Sequence, residues 1–337
     1  MSNHGDERGP GGQSVFYCGR WHLCDTCPVK PNPPSLPPDI TVFERGWLSS
    51  NNILLRGERA TALIDSGYAT HAGQTLALVR AALGERPLDV LVNTHLHSDH
   101  CGGNAALQAA YPAMRTHIPP GLAPHVSAWN PEALTYAPTG RTCPQFRFDA
   151  LLVPGTEIRL GGRLWQVHAA PGHDTHSVIL FEASARILVS ADALWERGFG
   201  VVFPELEGLD AFDELGDTID LIESLAPAIV IPGHGAVFTD VATSIASARE
   251  RLKGFVANPA KHTRHAAKVL LKFKLLEVQQ MELDALTAWA RATPYFQLMF
   301  RQPDSGSEFE PWTEGLIADL VRVGAAVREG GLIRDAG

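Results

Sequence analysis

Residues 93–104, with the sequence NTHLHSDHCGGN, concentrate side chains that can bind a metal ion. His95, His97, Asp99 and His100 fall within six consecutive positions. Clustering these groups without a partner costs electrostatic repulsion or desolvation, so a purely structural role explains them poorly. Neutral imidazole and carboxylate together suit zinc, iron or manganese, and none of the four candidate ligands is a thiolate of the kind expected of a structural zinc site. The spacing therefore predicts a metal site.

Four more candidate groups each follow a strand-like apolar run. They are Asp65 in LIDSG, His173 in PGHD, Asp192 in VSAD and His234 in PGHG. Taken singly, a histidine or aspartate at such a position more often packs, hydrogen-bonds the backbone or caps a turn. Taken together, the five histidines with Asp99 and Asp192 match the demand of two adjacent ions. Two such ions can generate a hydroxide near neutral pH and polarise the bond that it attacks.

Rigid elements must position these side chains, and apolar runs indicate where they are. Short runs bounded by Gly, Asp and Asn predict strands from residue 40 onward, and LDVLVNT predicts a buried strand that leads into the histidine turn. Helices are predicted over 73–84, from CGGNAALQ to Pro112, and over 209–225. Twice along the chain, a run of predicted strands is followed by a part in which strands alternate with helices. This order predicts an α/β or α+β fold with sheets in the centre and helices outside.

The flanking regions differ from this pattern. Residues 1–38 are rich in Gly and Pro and predict a flexible or extended arm. Residues 39–242 carry the candidate ligands, and residues 243–337 are predicted to form a mostly helical C-terminal domain. The last predicted helix is followed by GGLI, which could supply the hairpin of a small winged-helix-like unit.

Three smaller motifs each leave two interpretations open. In the arm, Cys18, His22, Cys24 and Cys27 could form a zinc knuckle, but the spacing is cramped and an unstructured arm is favoured. The loop 195–206 could wall a substrate pocket or be an ordinary connection. The basic stretch 261–274 could bind an anionic group or form a solvated helix face.

A set of aromatic residues near helical spacing predicts the core of the C-terminal domain: Trp289, Tyr295, Phe296 and Phe300.

The composition and charge of the chain limit the kinds of partner that it is expected to bind. The net charge of −9 and the pI near 5.8 argue against a broad electrostatic grip on nucleic acid or on an anionic membrane. No apolar run reaches the roughly 18 residues of a membrane span, and the N-terminus lacks the features of a secretory signal. The five cysteines suggest reduced thiols. We therefore expect a cytoplasmic protein.

The motifs HLHSDH, PGH, SAD and PGH, in this order, resemble the signature of the metallo-β-lactamase-fold hydrolases. That signature is H-x-H-x-D-H followed by a distant His, Asp and His, and the resemblance covers roughly residues 40–240. It implies an αββα sandwich with two divalent metal ions at one edge of the sheets. Zinc is favoured, with iron or manganese as alternatives.

The resemblance also implies a role for each residue. His95, His97 and His173 would hold the first ion, and Asp99, His100 and His234 the second. Asp192 would bridge the ions, Asp65 would support the site from behind, and Asp99 would also orient a bridging hydroxide for attack on an acyl carbonyl. His176 is a candidate acid for the leaving group, with a packing role as the alternative.

Two features indicate which branch of these hydrolases the sequence resembles most. An aspartate at position 192 resembles the glyoxalase II, lactonase, phosphodiesterase and sulfur-dioxygenase branches, whereas well-known antibiotic-degrading members often have Cys there. The turn THLHSDHCGGN is most similar to glyoxalase II and related thioesterases. The third motif departs from that group, because its second histidine, His176, follows His173 by three residues and not by four.

The sequence thus predicts a dinuclear metal-dependent hydrolase whose partner is a small acyl substrate, with a thioester first. Lactone, ester or β-lactam-like amide hydrolysis and phosphodiester or nucleic-acid cleavage are the alternatives within the fold. A persulfide dioxygenase is disfavoured because its mononuclear iron site uses fewer of these ligands. A metal-binding scaffold without turnover is the non-enzyme alternative. A homodimer is compatible with the sequence, and neither nucleic acid nor membrane is expected as a partner.

Overall fold

The structure, a computed structural model, describes residues 36–302, 306 and 308–337. The N-terminal arm lies almost wholly outside these residues, as do Cys18, His22, Cys24 and Cys27, so the arm and zinc-knuckle interpretations are untested. Within the described ranges, none of the helices combines the length and the apolar character that a bilayer crossing needs.

Two sheets form the centre of the described chain. In the first sheet, six strands lie in sequence order, antiparallel from β1 to β3 and parallel from β3 to β6. These strands are β1 (Ile40–Phe43), β2 (Asn52–Arg56), β3 (Thr61–Ile64), β4 (Val90–Val92), β5 (Arg115–Ile118) and β6 (Ala150–Leu151). The parallel part places the ends of β3 and β4 side by side, where Asp65 and the histidine turn follow.

The described strands of the second sheet are ordered β11-β10-β9-β8-β7. They are β7 (Glu157–Leu160), β8 (Arg163–Ala169), β9 (Val178–Glu182), β10 (Ile187–Ala191) and β11 (Ile229–Pro232). Neighbouring strands are antiparallel except for β10 and β11, which run parallel. Asp192 and His234 therefore emerge at the same edge of this sheet.

Alternating side chains of the strands explain the layering. Ile53 and Leu55 of β2 pack inward against the second sheet, in a cluster that includes Trp165 and Leu180. Leu54, between them, faces the opposite way and packs against helices. Both sheets thus bury one face on each other and the other face under helices, which confirms the predicted αββα layering.

The outer helices cover the two sheets. Helices α1 and α3 pack on the first sheet, and α6 and α7 pack on the second. The helices of this part of the chain are α1 (Ala72–Leu83), α2 (Ser98–Cys101), α3 (Asn104–Ala110), α4 (Ala123–Ala128), α5 (Phe203–Leu206), α6 (Ala211–Leu225) and α7 (Val241–Ala257). Helix α7 shares its apolar cluster with α6 through Ile245, Ala248 and Phe255. The predicted domain boundary near residue 242 stays a prediction.

The remaining chain forms a second, mostly helical unit. Its elements are α8 (Pro259–Val278), β12 (Gln280–Glu282), α9 (Leu283–Ala292), α10 (Pro294–Phe300), α11 (Phe309–Arg322), β13 (Ala326–Glu329) and β14 (Leu332–Asp335). Strands β13 and β14 form a hairpin, and β12 pairs with β14. This order of helix, strand, helices and hairpin is the one expected of a winged-helix-like unit.

The stretch LDALTAWARATPY is divided between two helices. Helix α9 ends at Ala292 and α10 begins at Pro294. Proline lacks a backbone N–H and is favoured at the first helical position, so it starts a new helix there. The aromatic residues of the unit belong to its core as predicted: Trp289, Tyr295, Phe296 and Phe300.

The helical unit packs directly on the sandwich. Val201 and Leu206, from the connection after β10, belong to the same apolar cluster as the helices of the C-terminal unit. The Tyr68 hydroxyl donates to Glu277 of α8 at 2.8 Å, and the Tyr295 hydroxyl bonds Glu207. The two units therefore share apolar and polar contacts near the edge where the candidate ligands lie.

Trp165 offers a test of the inter-sheet core. Its side chain is fully buried, whereas the neighbouring Leu164 on the other face of β8 is 41% exposed. We expect Trp165→Ala to lower the free energy of unfolding by about 3–5 kcal/mol, because it leaves a cavity between the sheets. Leu164→Ala, the matched control, should change it by about 0.5 kcal/mol or less. Urea denaturation measures both, and equal effects would contradict the described register.

Candidate metal centre

The histidine turn follows the central strand β4 and leads into α2. His95 and His97 precede this short helix, with His97 at its N-cap, and Asp99 and His100 lie within it. The Asn93 amide donates to the backbone carbonyl of His100 at 3.2 Å, which closes the turn on itself. Of the four predicted ligands in this turn, His95, Asp99 and His100 are buried and His97 is partly exposed.

The first group of donor atoms consists of His95, His97 and His173. His97 Nδ1 lies 2.8 Å from His173 Nε2 and 3.1 Å from His95 Nε2. The ligand atoms of the three residues all lie within 4.8 Å of one another, close enough to surround one ion. His173 comes from the connection between β8 and β9, so the two sheets meet at this point.

A second group consists of Asp99, His100 and His234, and Asp192 lies between the two groups. His234 Nε2 is 3.2 Å from Asp99 Oδ2. Asp192 Oδ2 lies 3.4 Å from His173 Nε2 and 3.8 Å from His234 Nε2, and Asp192 Oδ1 lies 3.5 Å from His100 Nε2. One carboxylate thus reaches imidazoles of both groups, which is the arrangement that a bridging ligand requires.

Hydrogen bonds behind the site orient two of the imidazoles. His173 Nδ1 lies 2.6 Å from the carbonyl oxygen of Val201, and His100 Nδ1 lies 2.8 Å from Asp65 Oδ2. The Asp65 carboxylate also accepts from the Thr94 backbone N–H at 2.9 Å and from its hydroxyl at 2.8 Å. A histidine whose Nδ1–H donates in this way keeps its Nε2 lone pair for a metal.

The donor set fits divalent cations. His100 Nε2 is buried and makes no hydrogen bond to any described residue, although it faces the other candidate ligands. Burying an imidazole nitrogen without a partner is costly. A cation bound at this point would satisfy His100 Nε2 and separate the crowded nitrogens of the first group. Nitrogen and carboxylate ligands of this kind suit zinc, iron or manganese.

The charge states also suit a cation. Burial and the neighbouring His173 lower the pKa of His97 to about 4, so that this imidazole is neutral near pH 7. Burial opposes ionisation of Asp99, but Arg141 and His234 hold the pKa of this carboxyl well below its usual range. Burial likewise opposes ionisation of Asp192, but His234 and His100 lower its pKa. Neutral imidazole and ionised carboxylate are the forms that bind metals.

His100 differs from His95 and His97, whose pKa values are lowered. Burial lowers its pKa, but the carboxylates of Asp192 and Asp65 outweigh burial and raise the pKa well above its usual value. The two carboxylates make the place between them favourable for positive charge.

The backbone is strained where these side chains begin. Asp65 and Ala191 both have left-handed conformations, with φ of 57° and 47°, which cost free energy in a residue other than glycine. Ala191 also lies at a register irregularity between β10 and β11, directly before Asp192. Such strain persists only where surrounding contacts enforce it, and here it directs Asp65 and Asp192 toward the histidines.

The turn that carries His234 is held by the first sheet. The Asn51 amide donates to the carbonyl oxygens of Pro232, at 3.0 Å, and Gly235, at 2.7 Å. The Asn51 backbone N–H donates to Gly233 at 2.7 Å. Asn51, directly before β2 of the first sheet, thus fixes the ligand turn that follows β11 of the second sheet.

A cavity of about 470 Å³ opens beside the ligands. His97, Asp99, His173, Asp192 and His234 line its inner end. The loop 195–206 contributes to the wall through Trp195, Gly200, Val201 and Phe203, which favours the pocket interpretation of this loop. The Trp195 indole N–H also donates to Asp192 Oδ1 at 3.2 Å.

Sequence reasoning missed part of this wall. Trp47 stacks on the His234 ring, with 5.5 Å between ring centroids. Arg141 lies with Nη2 4.0 Å from Asp99 Oδ1 and its guanidinium 3.8 Å from the centroid of the Phe273 ring. Tyr136 also lines the cavity. These residues stand in connecting segments whose sequences carry no motif, so no signal in the chain indicated them.

His176 does not join the other predicted site residues at the cavity. It lines a separate small recess with His95 and Leu96, and its backbone N–H donates to Asp174 at 2.8 Å. A Cβ atom at Gly121 would lie 2.2 Å from the His176 ring, so the ring packs closely on that glycine. The placement favours the packing role, and the role of His176 as an acid stays a prediction.

Gly233 offers a test of the site. A Cβ atom there would lie 2.2 Å from Asp192 Oδ1 and 3.0 Å from His100. We expect Gly233→Ala to displace Asp192 and to reduce the metal bound per protein relative to the unaltered protein, as measured by elemental mass spectrometry. Gly216→Ala is the control, since its nearest neighbour would be Leu252 at 3.8 Å. Full metal content in Gly233→Ala would contradict the described packing.

Comparisons with known proteins agree with this geometry. A hydroxyacylglutathione hydrolase of Brucella anthropi is 28% identical over 264 residues, which cover 78% of this chain and 86% of that protein. The acyl-coenzyme A thioesterase MBLAC2 of Bos taurus is 29% identical over 218 residues, which cover 58% of this chain and 78% of that protein. A beta-lactamase domain protein from Burkholderia ambifaria has a similar fold, with a TM-score of 0.55 at 21% identity over 92% of this chain and 97% of that one.

The model of the metallo-beta-lactamase superfamily matches residues 45–234, more than half of the chain. The matched segment begins before Trp47 and ends at His234, so it spans every predicted ligand. The protein therefore belongs to the metallo-beta-lactamase superfamily and is a metal-dependent hydrolase.

Proposed function

We propose that this hydrolase cleaves thioesters at a centre of two divalent metal ions. The observation that carries the proposal is the position of Asp192, whose oxygens reach His100, His173 and His234 within 3.8 Å. A carboxylate between two ligand groups suits a pair of ions better than a single one. Two relatives whose names denote thioester hydrolysis, at 28% and 29% identity, support the substrate class.

Each ligand has a proposed place. His95, His97 and His173 would hold one ion, Asp99, His100 and His234 would hold the other, and Asp192 would be shared between the two groups. When bound, such ions supply a hydroxide near neutral pH and stabilise negative charge on the attacked carbonyl oxygen. Zinc is the favoured metal, and iron or manganese would suit the same donors.

The chain's own residues prepare this chemistry by fixing geometry. Asp65 holds His100 through its Nδ1, and the Val201 carbonyl holds His173 in the same way. Asp99, besides its ligand role, lines the cavity and as an ionised carboxylate can orient the attacking nucleophile by accepting a hydrogen bond from it. The indole of Trp195 donates to Asp192 and fixes its orientation. Preorganised groups of this kind spare the reaction the cost of reorientation.

The leaving group favours a thioester over an amide. A thiolate is stable, because the pKa of a thiol is about 8.5, so it departs without a strong acid beside it. An amine or alkoxide needs a proton as it leaves. His176, the predicted acid, lies in the separate recess. Lactone and β-lactam-like amide hydrolysis are therefore the second candidates.

The winged-helix-like unit gives little support to nucleic-acid cleavage. On the exposed face of α11, Glu314 repels phosphates, and Glu310 and Asp319 are paired with Arg291 and Arg322. The lysines of α8 that line the cavity are paired with aspartates. A nuclease of this fold would be expected to present free cations to a phosphate backbone.

The decisive experiment is thiol release from S-lactoylglutathione and acyl-CoA thioesters. We expect release by metal-loaded protein and none after chelation. His97→Ala and Asp192→Ala should abolish turnover and lower the metal content, because each removes a ligand. His168→Gln, which changes a histidine of β8 outside the site, is the control. Full activity in either ligand variant would refute the site, and no release from protein that holds two metals would refute the thioesterase.

A second experiment concerns His176. We expect His176→Gln to keep kcat/KM for a thioester within about threefold of wild type, because the ring packs against Gly121 outside the cavity. A general acid would contribute about 100-fold or more. A loss of that size at unchanged metal content would restore the acid role.

A further inference from the structure

The cavity continues from the metal centre along the C-terminal helices, and its far wall is apolar. We propose that this wall binds an aliphatic acyl chain, so that the substrates are thioesters of medium-chain or longer fatty acids. The proposal rests on the thioesterase function proposed above. It goes beyond that function because it names the acyl group and gives the C-terminal unit a part in substrate selection.

One face of α8 forms most of this wall. Val269, Phe273 and Leu276 are spaced by four and three residues, so they lie on one side of the helix, and all three line the cavity. Leu320 and Val323, from the end of α11 and just beyond it, extend the wall. An apolar surface of this extent beside a catalytic centre favours an apolar ligand group, because its burial removes water from both surfaces.

The lysines of the same helix do not make this wall cationic. Lys268 Nζ lies 3.5 Å from Asp319 Oδ2, and Lys272 Nζ lies 2.5 Å from Asp335 Oδ1 and donates to the Ala325 carbonyl at 2.7 Å. The charged heads are thus held by acidic partners, and the aliphatic stems are left to line the cavity. An anionic group bound along this wall would find both lysines already engaged, whereas an aliphatic chain needs no cation.

Arg141 marks the junction between the polar and apolar parts. Its guanidinium stacks on the Phe273 ring at 3.8 Å and points toward Asp99 at 4.0 Å. Arg251 and His265, which also line the cavity, contact each other with 2.7 Å between Nη2 and Nε2. The scissile carbonyl would therefore lie at the ligands, and the chain would run past Phe273 toward Leu320. The volume of about 470 Å³ lies in the range of sites for drug-sized ligands, more room than a short polar acyl group needs.

The test compares acetyl-, butyryl- and octanoyl-CoA with metal-loaded full-length protein. Each buried methylene contributes roughly fourfold in binding, so we expect kcat/KM to rise by at least about 30-fold from acetyl- to octanoyl-CoA. Similar values for the three substrates, or a preference for acetyl-CoA, would overturn the apolar-chain proposal and leave the thioesterase intact. No turnover of any thioester would overturn the thioesterase, and the chain proposal with it.

Matched valines on two helices test the wall itself. Val269→Thr keeps the shape of the side chain but adds a hydroxyl to the cavity, and it should lower kcat/KM for octanoyl-CoA by about three- to tenfold while acetyl-CoA is unaffected. Val256→Thr on α7, where the side chain is 56% exposed, should change neither substrate. Equal losses for both substrates in Val269→Thr would overturn the proposal. Calorimetric binding of octanoate gives a second readout, with a negative heat-capacity change expected and its absence contradicting an apolar contact.

Discussion

The structure depends on the burial of an aspartate among imidazole nitrogens. Asp192 is 4% exposed and lies within 3.8 Å of three histidines. His173 belongs to the first ligand group, and His100 and His234 belong to the second. Removing a carboxylate and several imidazoles from water costs free energy that hydrogen bonds among them do not recover. Divalent cations would supply the missing stabilisation. The left-handed Ala191 and the side-chain-free Gly233 both follow from the need to bring this one carboxylate to the histidines.

Convergence of distant segments then follows from the topology. Parallel strands end at the same edge of a sheet, so β3 and β4 deliver Asp65 and the histidine turn, while β10 and β11 deliver Asp192 and His234. Packing the sheets face to face brings these two edges together. Asn51 connects them, because its side-chain amide donates hydrogen bonds to the carbonyl oxygens of Pro232 and Gly235. A rigid frame of this kind explains how side chains on short turns can hold metal-binding distances without help from neighbouring helices.

The sequence predicts this part of the molecule well because each ligand follows an apolar strand and belongs to a motif with fixed spacing. Strands β5 and β6 escaped prediction because the sequence of β5, RTHI, is largely polar and β6 has only two residues. The proximity of His176 to His173 in the chain suggested a shared site, yet the turn directs its ring to Gly121. Arg141, Trp47 and the wall formed by α8 could not be predicted, since they reach the cavity only through the packing of one unit on another.

The C-terminal unit illustrates why fold order alone does not reveal function. Its sequence of helices and hairpin is winged-helix-like, and such units are often associated with nucleic acid. Here the charges do not favour nucleic acid as a ligand, because Lys268 and Lys272 of the basic stretch are paired with Asp319 and Asp335. What the helix presents to the catalytic edge is Phe273 and its apolar neighbours. Under the acyl-chain proposal, the basic stretch would be the scaffold of a cavity wall, in which these ion pairs fix the helix and its aliphatic surface meets the substrate.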